Sequence, residues 1–184
     1  MKINLLAFDR VDSELLYDFF ISEDWKFHTG SKSTKETFLS SVEKGNYDGI
    51  SNKSFWLVND ESKKIGFLKI EDLDDDIPRF DLRILSEYRG KKIGEQALNE
   101  MTNYIFNNYP EIYRIEGCTR EDNFSMRKVF KKCSYIKEGH FRKSWAGKES
   151  KNYKEYYDSI LYATIREDWE EKKTTFLKWD DDNF

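Results

Sequence analysis

The chain is poor in the residues that staple, ligate or anchor. Only two cysteines, Cys118 and Cys133, occur in 184 residues, too few for a disulfide framework, so a reducing setting is expected. Histidine is equally scarce, at His28 and His140. Neither cysteine has a metal-type partner at short spacing, and no metal site is expected. No apolar run reaches the length of a membrane span, and the first residues lack the apolar core of a signal peptide. The expectation is a cytoplasmic protein with no membrane partner. An excess of one charge is missing too: 31 Lys+Arg against 35 Asp+Glu leave a net charge of −4 and a pI near 5.4. A general nucleic-acid binder needs a basic face for phosphates, so that class is set aside, while a local basic pocket stays open.

What the chain does have is aromatic mass. The hydrophobic fraction is only 38%, but 16% of residues are Phe, Trp or Tyr, which supports a folded core at a length suited to one domain. That domain is expected over residues 1–169, with an acidic tail over 170–184.

Residues 2–8 read as a first strand. Asp12 or Ser13 is placed to cap a helix carrying Leu15, Leu16, Phe19 and Phe20, and Thr34 to cap one carrying Phe38, Leu39 and Val42. Between them, Trp25-Lys26-Phe27-His28 reads either as a hydrophobic plug or as the wall of an acceptor pocket. Residues 55–58 and 64–70 read as strands joined by a polar turn. The acidic run 71–76 is a solvated turn, or else a lure for a cationic acceptor.

The next stretch organises the rest. Phe80, Leu82 and Ile84 alternate with Arg79, Asp81 and Arg83 at the period of a strand. Ile93, Ala97, Leu98, Met101, Tyr104, Ile105 and Phe106 then recur at the spacing of a helix. Between the two lies Ser86-Glu87-Tyr88-Arg89-Gly90-Lys91-Lys92. A glycine-containing turn that opens a helix aims unpaired N–H groups and the positive end of the helix dipole at one spot, which makes an anion site.

Residues 113–119 read as another strand, followed by a helix capped by Asp122 or Asn123 and carrying Met126, Val129, Phe130 and Cys133. Strands at 135–136, 141–145 and 153–165 follow, with a turn at 146–150. This alternation implies an α/β or α+β fold with helices on the faces of a sheet, the glycine-turn helix linking two parallel neighbours by a right-handed crossover.

Three blocks together resemble the GNAT acetyltransferases: Leu82 through Gly94; Asp122-Asn123-Phe124-Ser125-Met126-Arg127-Lys128-Val129-Phe130 with Cys133-Ser134-Tyr135; and Tyr157 through Ala163 ending in Glu167-Asp168-Trp169. The third is similar to the branch containing the ribosomal-protein N-acetyltransferases. The resemblance covers roughly residues 54–169 and rests on motifs in order rather than on one turn. It implies a mixed, mostly antiparallel twisted sheet and an enzyme, a monomer or homodimer, that moves an acetyl group from acetyl-CoA to an amine in a ternary complex. It further implies that the backbone of Leu82, Arg83 and Ile84 pairs with the pantetheine arm. Arg89, Gly90, Lys91, Lys92, Ile93 and Gly94 would hold the pyrophosphate, and Asn123 and Met126 would flank the lower part of the cofactor.

The chain departs from the family pattern at several positions. Lys92 replaces an inner glycine, which is tolerated if it keeps a right-handed conformation. Ser134 replaces another glycine. Phe130 stands where many members place a proton-donating tyrosine, Met126 where the ribosomal-protein branch often has serine, and Trp145 where that branch has a glutamate. A non-catalytic acyl-CoA sensor is therefore the rival reading.

The reaction needs a neutral amine, a stabilised oxyanion and a proton for the thiolate. Deprotonating a lysine amine of pKa about 10.4 at neutral pH costs roughly 4–5 kcal/mol, against about 1 for an α-amine near 8. A low-pKa amine asks less of a base. Candidate bases are Glu116, otherwise an ion-pair partner of Arg114 or Lys69, and Asp81. Candidate acids are Ser125, Tyr135 and His140, with solvent as the alternative for a thiol of pKa near 8.5. An N–H group near residues 82–84 is the candidate oxyanion donor.

Overall fold

Every residue of the strand Lys53–Asn59 after the first is buried, and a strand buried along its whole length needs cover on both faces of its sheet. The computed structural model, which describes residues 1–28, 33–150 and 153–177, supplies that cover with helices on either side. In chain order the elements are β1 (Ile3–Ala7), α1 (Ser13–Ile21), α2 (Lys35–Glu43), β2 (Lys53–Asn59), β3 (Lys64–Glu71), β4 (Arg79–Ile84), α3 (Ile93–Asn108), β5 (Arg114–Arg120), α4 (Phe124–Lys132), β6 (Ile136–Ser150), β7 (Tyr153–Ile165) and α5 (Arg166–Glu171).

The pleat of β2 divides the core. Phe55 and Leu57 join Ile93, Ala97, Leu98, Met101 and Phe130 from α3 and α4. Trp56 and Val58 point the other way and join Leu16, Phe19, Phe38 and Val42 from α1 and α2. Alternate side chains of one strand thus feed two cores, as the two-residue period demands.

Strands β1 to β4 form an antiparallel sheet in the order β1-β2-β3-β4, and a second antiparallel sheet has the order β5-β7-β6. This is the mixed α/β architecture with mostly antiparallel pairing that the sequence implies. One expectation needs correction: α3 does not link two laddered neighbours. β4 takes its ladder from β3 and β5 from β7. Among the described residues the facing edges of β4 and β5 share a single backbone bond near their starts, Glu116 N–H to the Pro78 carbonyl at 3.1 Å. Beyond it no ladder bond joins the two strands among the described residues.

Local capping follows the sequence in one place and departs from it in another. Thr34 accepts from the Thr37 N–H at 3.3 Å and caps α2. Asp12 precedes α1 but makes no capping bond. Its carboxylate instead accepts from Trp56 Nε1 at 3.0 Å and Lys64 Nζ at 2.6 Å. The indole N–H of a nearly sealed tryptophan needs an acceptor, and that need outweighs a helix cap beside solvent.

The strand expected at 153–165 is β7, while the separate strands at 135–136 and 141–145 and the turn at 146–150 are corrected, because β6 runs unbroken from Ile136 to Ser150. Its register against β7 shifts three times. The polar interruptions that read as loops are bulges, which take up extra residues without ending a strand. After β7, Arg166 turns back and donates to the carbonyls of Phe106 at 2.8 Å, Tyr109 at 2.6 Å and Ile112 at 2.8 Å, satisfying acceptors at the C-terminal end of α3. Of the expected tail, residues 178–184 lie outside the described residues. Thr175 is tied to the buried Asp168 carboxylate through its N–H at 2.9 Å and its hydroxyl at 2.6 Å.

Gly117 on β5 lies against the rings of Phe130 and Phe80, where a Cβ would sit 2.6–2.9 Å from their atoms. Both rings are packed in the α3/α4 core and have little room to yield. Gly117→Ala is expected to destabilise the fold by about 1–3 kcal/mol, read as a lower urea midpoint at unchanged slope. An unchanged midpoint would show that the rings can move aside.

Candidate functional site

The anion turn begins where β4 ends. After a short helical turn at Ser86–Tyr88, Gly90 takes φ +76° and Lys92 takes φ +62° and ψ +14° before α3 starts at Ile93. The expected right-handed Lys92 is corrected: it is left-handed. Two left-handed residues in close succession fold the backbone into a nest whose N–H groups converge. Among the described residues, the N–H groups of Gly90, Lys91 and Lys92 have no acceptor. Those of Ile93 and Gly94 belong to the first helical turn, which has no carbonyl behind it. Gly94 is held close to α4, where a Cβ would meet Val129 Cγ2 at 3.2 Å. Ser134, the other family-glycine position, is left-handed too, at φ +62°.

The cationic side chains around the turn divide by role. Arg89 braces the turn from beneath, Nε donating to the Ile84 carbonyl at 2.8 Å and a terminal nitrogen to Glu23 at 2.7 Å. Glu23 also accepts from the Ser86 N–H at 2.6 Å. Lys91 lies over the Tyr88 ring at 5.2 Å, and both Lys91 and Lys92 are exposed.

At the end of β5, Asn123 caps α4. Its Oδ1 accepts from the Met126 N–H at 3.2 Å and its Nδ2 donates to Thr119 at 2.9 Å. Met126 packs against the α3/α4 core, and Ser125 is exposed in the first turn of the helix. Asp122, the alternative cap, turns instead to Arg120, which donates to it at 2.9 and 2.8 Å.

The two faces of β4 differ in chemistry. Phe80, Leu82 and Ile84 pack toward α3 and α4. Asp81 and Arg83 lie on the opposite face with α1, α2 and residues 25–28. His28 Nδ1 stands 3.0 Å from Asp81 Oδ1. Arg83 donates to Asp81 Oδ2 from Nε at 3.0 Å and from NH2 at 2.8 Å, while its guanidinium lies 4.4 Å from the Phe20 ring centre. Burial by itself would raise the Asp81 carboxyl, but the hydrogen bond and charge of His28, and then Arg83, outweigh it and hold the group well below the usual carboxylate range. Close by, the Tyr47 hydroxyl is pushed up to about 12, mainly by burial.

Of the two readings of residues 25–28, the hydrophobic plug is met by Trp25, buried in the α1/α2 core with Nε1 donating to the Phe20 carbonyl at 2.9 Å. His28 lies outside that plug, against Asp81. Between them the segment is anchored to the end of β5, with Lys26 Nζ 3.7 Å from Asp122 and the Arg120 guanidinium 5.2 Å from the Phe27 ring. It therefore bridges from β4 to β5 on one face of the gap.

The other candidates resolve as follows. The Glu116 carboxylate is paired with Arg114, at 2.9 and 2.8 Å, and Arg114 also reaches Glu138 at 2.5 Å. Lys69 pairs with Glu71 at 2.5 Å and not with Glu116. The Tyr135 hydroxyl is sealed in the core against Thr102 at 2.8 Å, and burial raises it far above its ordinary range. Phe130 stacks on Tyr162, with centres 4.6 Å apart and planes at 5°. His140 is on β6, with Nε2 2.9 Å from Asp158. Its ligand atom, that of Asp158 and that of Glu121 lie within 4.8 Å of one another, a spacing that admits a cation. Sequence reasoning left residues 25–28 between two roles and missed the contacts of Lys26 with Asp122 and of Arg120 with the Phe27 ring, because those contacts join positions far apart in the chain and no spacing advertises them.

The family model for the GNAT acetyltransferase domain matches residues 2–135. Solved structures similar to the chain include a chimera built on the spermidine N-acetyltransferase SpeG of Vibrio cholerae, with TM-score 0.77 and 14% identity over 92% of this chain and 98% of that one. Mutant forms of the same spermidine/spermine N-acetyltransferase give 0.75 and 16% over 93% and 99%. A dodecameric structure of it gives 0.72 and 15% over 91% and 95%. A search by sequence among curated proteins found no match. The structural likeness carries the fold, the family match spans most of the chain, and the chain belongs to the GNAT acetyltransferase family.

Proposed function

We propose that the protein transfers an acetyl group from acetyl-CoA to a primary amine, of a small molecule or a peptide N-terminus, by direct attack in a ternary complex. The observation that carries this reading is where the gap opens. β4 and β5 are joined near their starts, through Pro78 and Glu116, and among the described residues no ladder bond joins them toward Ile84 and Arg120. The nest at Gly90 and Lys92 follows one strand end, and the Asn123 cap follows the other. A thioester arm entering the gap would find a strand edge to pair with along Leu82, Arg83 and Ile84. Its diphosphate would meet converging N–H groups from Gly90 to Gly94, braced by Arg89 and flanked by Lys91 and Lys92. Asn123 and Met126 would line the opposite side. The helix dipole adds about 0.3–1 kcal/mol, so the N–H bonds must supply most of the anchoring.

The amine approaches from the α1/α2 face, where polar groups line β4 and β5. With Phe130 stacked and Tyr135 sealed, the coenzyme leaves as the thiolate and is protonated from solvent, consistent with a thiol pKa near 8.5. The similar solved structures are spermidine acetyltransferases by name, which makes a polyamine the first acceptor to try. The same two aromatic residues favour the rival sensor reading, and turnover with any amine would eliminate that rival.

Titration calorimetry is expected to show acetyl-CoA binding with a dissociation constant below about 1 mM, equivalent to more than about 4 kcal/mol, and thiol release is expected on adding spermidine, aminoglycosides or N-terminal peptides. No binding at millimolar cofactor would sink the proposal.

A second expectation concerns Lys92. A left-handed residue with a Cβ costs roughly 1–2 kcal/mol, and glycine returns about 0.5–1 of that through its freedom in the unfolded chain. Lys92→Gly should therefore stabilise the protein by about 0.5–1 kcal/mol in chemical denaturation. Cofactor affinity is expected to change little, since the backbone makes the site; a tenfold loss, about 1.4 kcal/mol, would assign the lysine side chain a direct role.

A further inference from the structure

We propose that His28 is the general base of the transfer and that Asp81 is its positioning partner, an inference that rests on the acetyl-transfer reading above. The two residues are 53 positions apart in sequence (81 − 28), yet His28 Nδ1 lies 3.0 Å from Asp81 Oδ1. A carboxylate can only accept, so in the neutral imidazole the proton sits on Nδ1 and Nε2 carries a lone pair. Asp81 is itself fixed by the two Arg83 bonds at 3.0 and 2.8 Å, and Arg83 is held by the rings of Phe20 and Trp25 at 4.4 and 5.5 Å. The imidazole also meets the Trp25 ring edge to face, with centres 6.0 Å apart. Each atom that sets the ring orientation is thus set by another.

The position suits the task. Asp81 lies in the middle of β4, on the strand that flanks the gap and on the face opposite α3 and α4. His28 belongs to the segment that bridges to Arg120 and Asp122, so it overlies the gap from the amine side. The charged and titratable groups around the pair are Arg83 on β4, Tyr47 after α2, Lys69 and Glu71 on β3, and Lys26, Arg120 and Asp122 at the far end of the segment. Lys69 is neutralised by Glu71 and Arg120 by Asp122. Glu116, the other carboxylate facing this side, is held by Arg114.

In the step itself the acceptor ammonium gives one proton to His28 Nε2. The nitrogen lone pair then forms the C–N bond at the thioester carbonyl. As the tetrahedral intermediate collapses, the C–S pair leaves on sulfur. The second nitrogen proton goes through water to the thiolate, and His28 returns its proton to solvent. The sum is amide, free thiol and one proton from ammonium and thioester.

The experiment compares wild type, His28→Gln and Asp81→Asn. Acetyl-CoA affinity is read by calorimetry, folding by circular dichroism, kcat and KM on the best amine of the panel across pH, and the imidazole tautomer by nitrogen NMR. The expected result is the Nδ1–H tautomer in wild type, and a kcat lower by about 100-fold in His28→Gln with cofactor affinity intact. The acidic limb of the kcat/KM profile should vanish in that variant, and Asp81→Asn should show a smaller kcat loss with a displaced limb. A His28→Gln enzyme within about threefold of wild type, far short of what a general base contributes, overturns the role of His28 while leaving the acetyltransferase intact. Loss of cofactor binding or of the fold in His28→Gln, or an Nε2–H tautomer in wild type, also overturns it. Wild type that binds acetyl-CoA but turns over no amine overturns the transfer reading itself, and with it this one.

Discussion

The architecture depends on a strand pairing that stops after one bond. If β4 and β5 were laddered along their length, the two sheets would merge and every backbone group along the seam would be satisfied. Instead, Glu116 meets Pro78 and among the described residues no further bond joins the two strands, each secured on its other edge by an antiparallel partner. A free strand edge inside a protein is normally a liability. Here it lies between a nest of backbone donors and a capped helix, so what fills the gap must bring hydrogen-bonding groups of its own. The thioester arm of acetyl-CoA has that character.

Much of this was legible in the chain. The alternation at residues 80–84 and the helical spacing from Ile93 follow from the need to bury one face, and that need leaves a periodic trace. What the sequence hid were choices between competing polar demands. Asp12 had the position of a helix cap, but the indole of Trp56 claimed it. The polar interruptions of β6 looked like loops, although a bulged strand tolerates them. Lys92 and Ser134 stand where family members carry glycine, and both keep the backbone conformation that glycine would adopt freely. The fold held the torsion angle and let the residue change.

At the candidate site, the cofactor side was more readable than the amine side for a physical reason. An anion nest is built from consecutive residues, so it appears as a motif. The proposed amine side draws on His28, Asp81, Arg83 and Arg120, contributed by a loop and two strands, and the contacts that bring the loop to the strands join positions far apart in the chain. Glu116 and Asp81 were equal candidates on paper. Only the fold shows that one is committed to Arg114 while the other is shared between a guanidinium and an imidazole.

Arg166 gives this organisation a direction in time. Its guanidinium closes the far end of α3, the helix that follows the Gly90–Lys92 turn, through carbonyls 54, 57 and 60 residues earlier in the chain. On a ribosome those carbonyls emerge long before their partner and stay hydrated until the closing strand has been made. The N-terminal sheet can therefore form early, while the C-terminal end of α3 is finished only when the closing strand docks. Completion of that helix end is in this way a late event in the birth of the molecule.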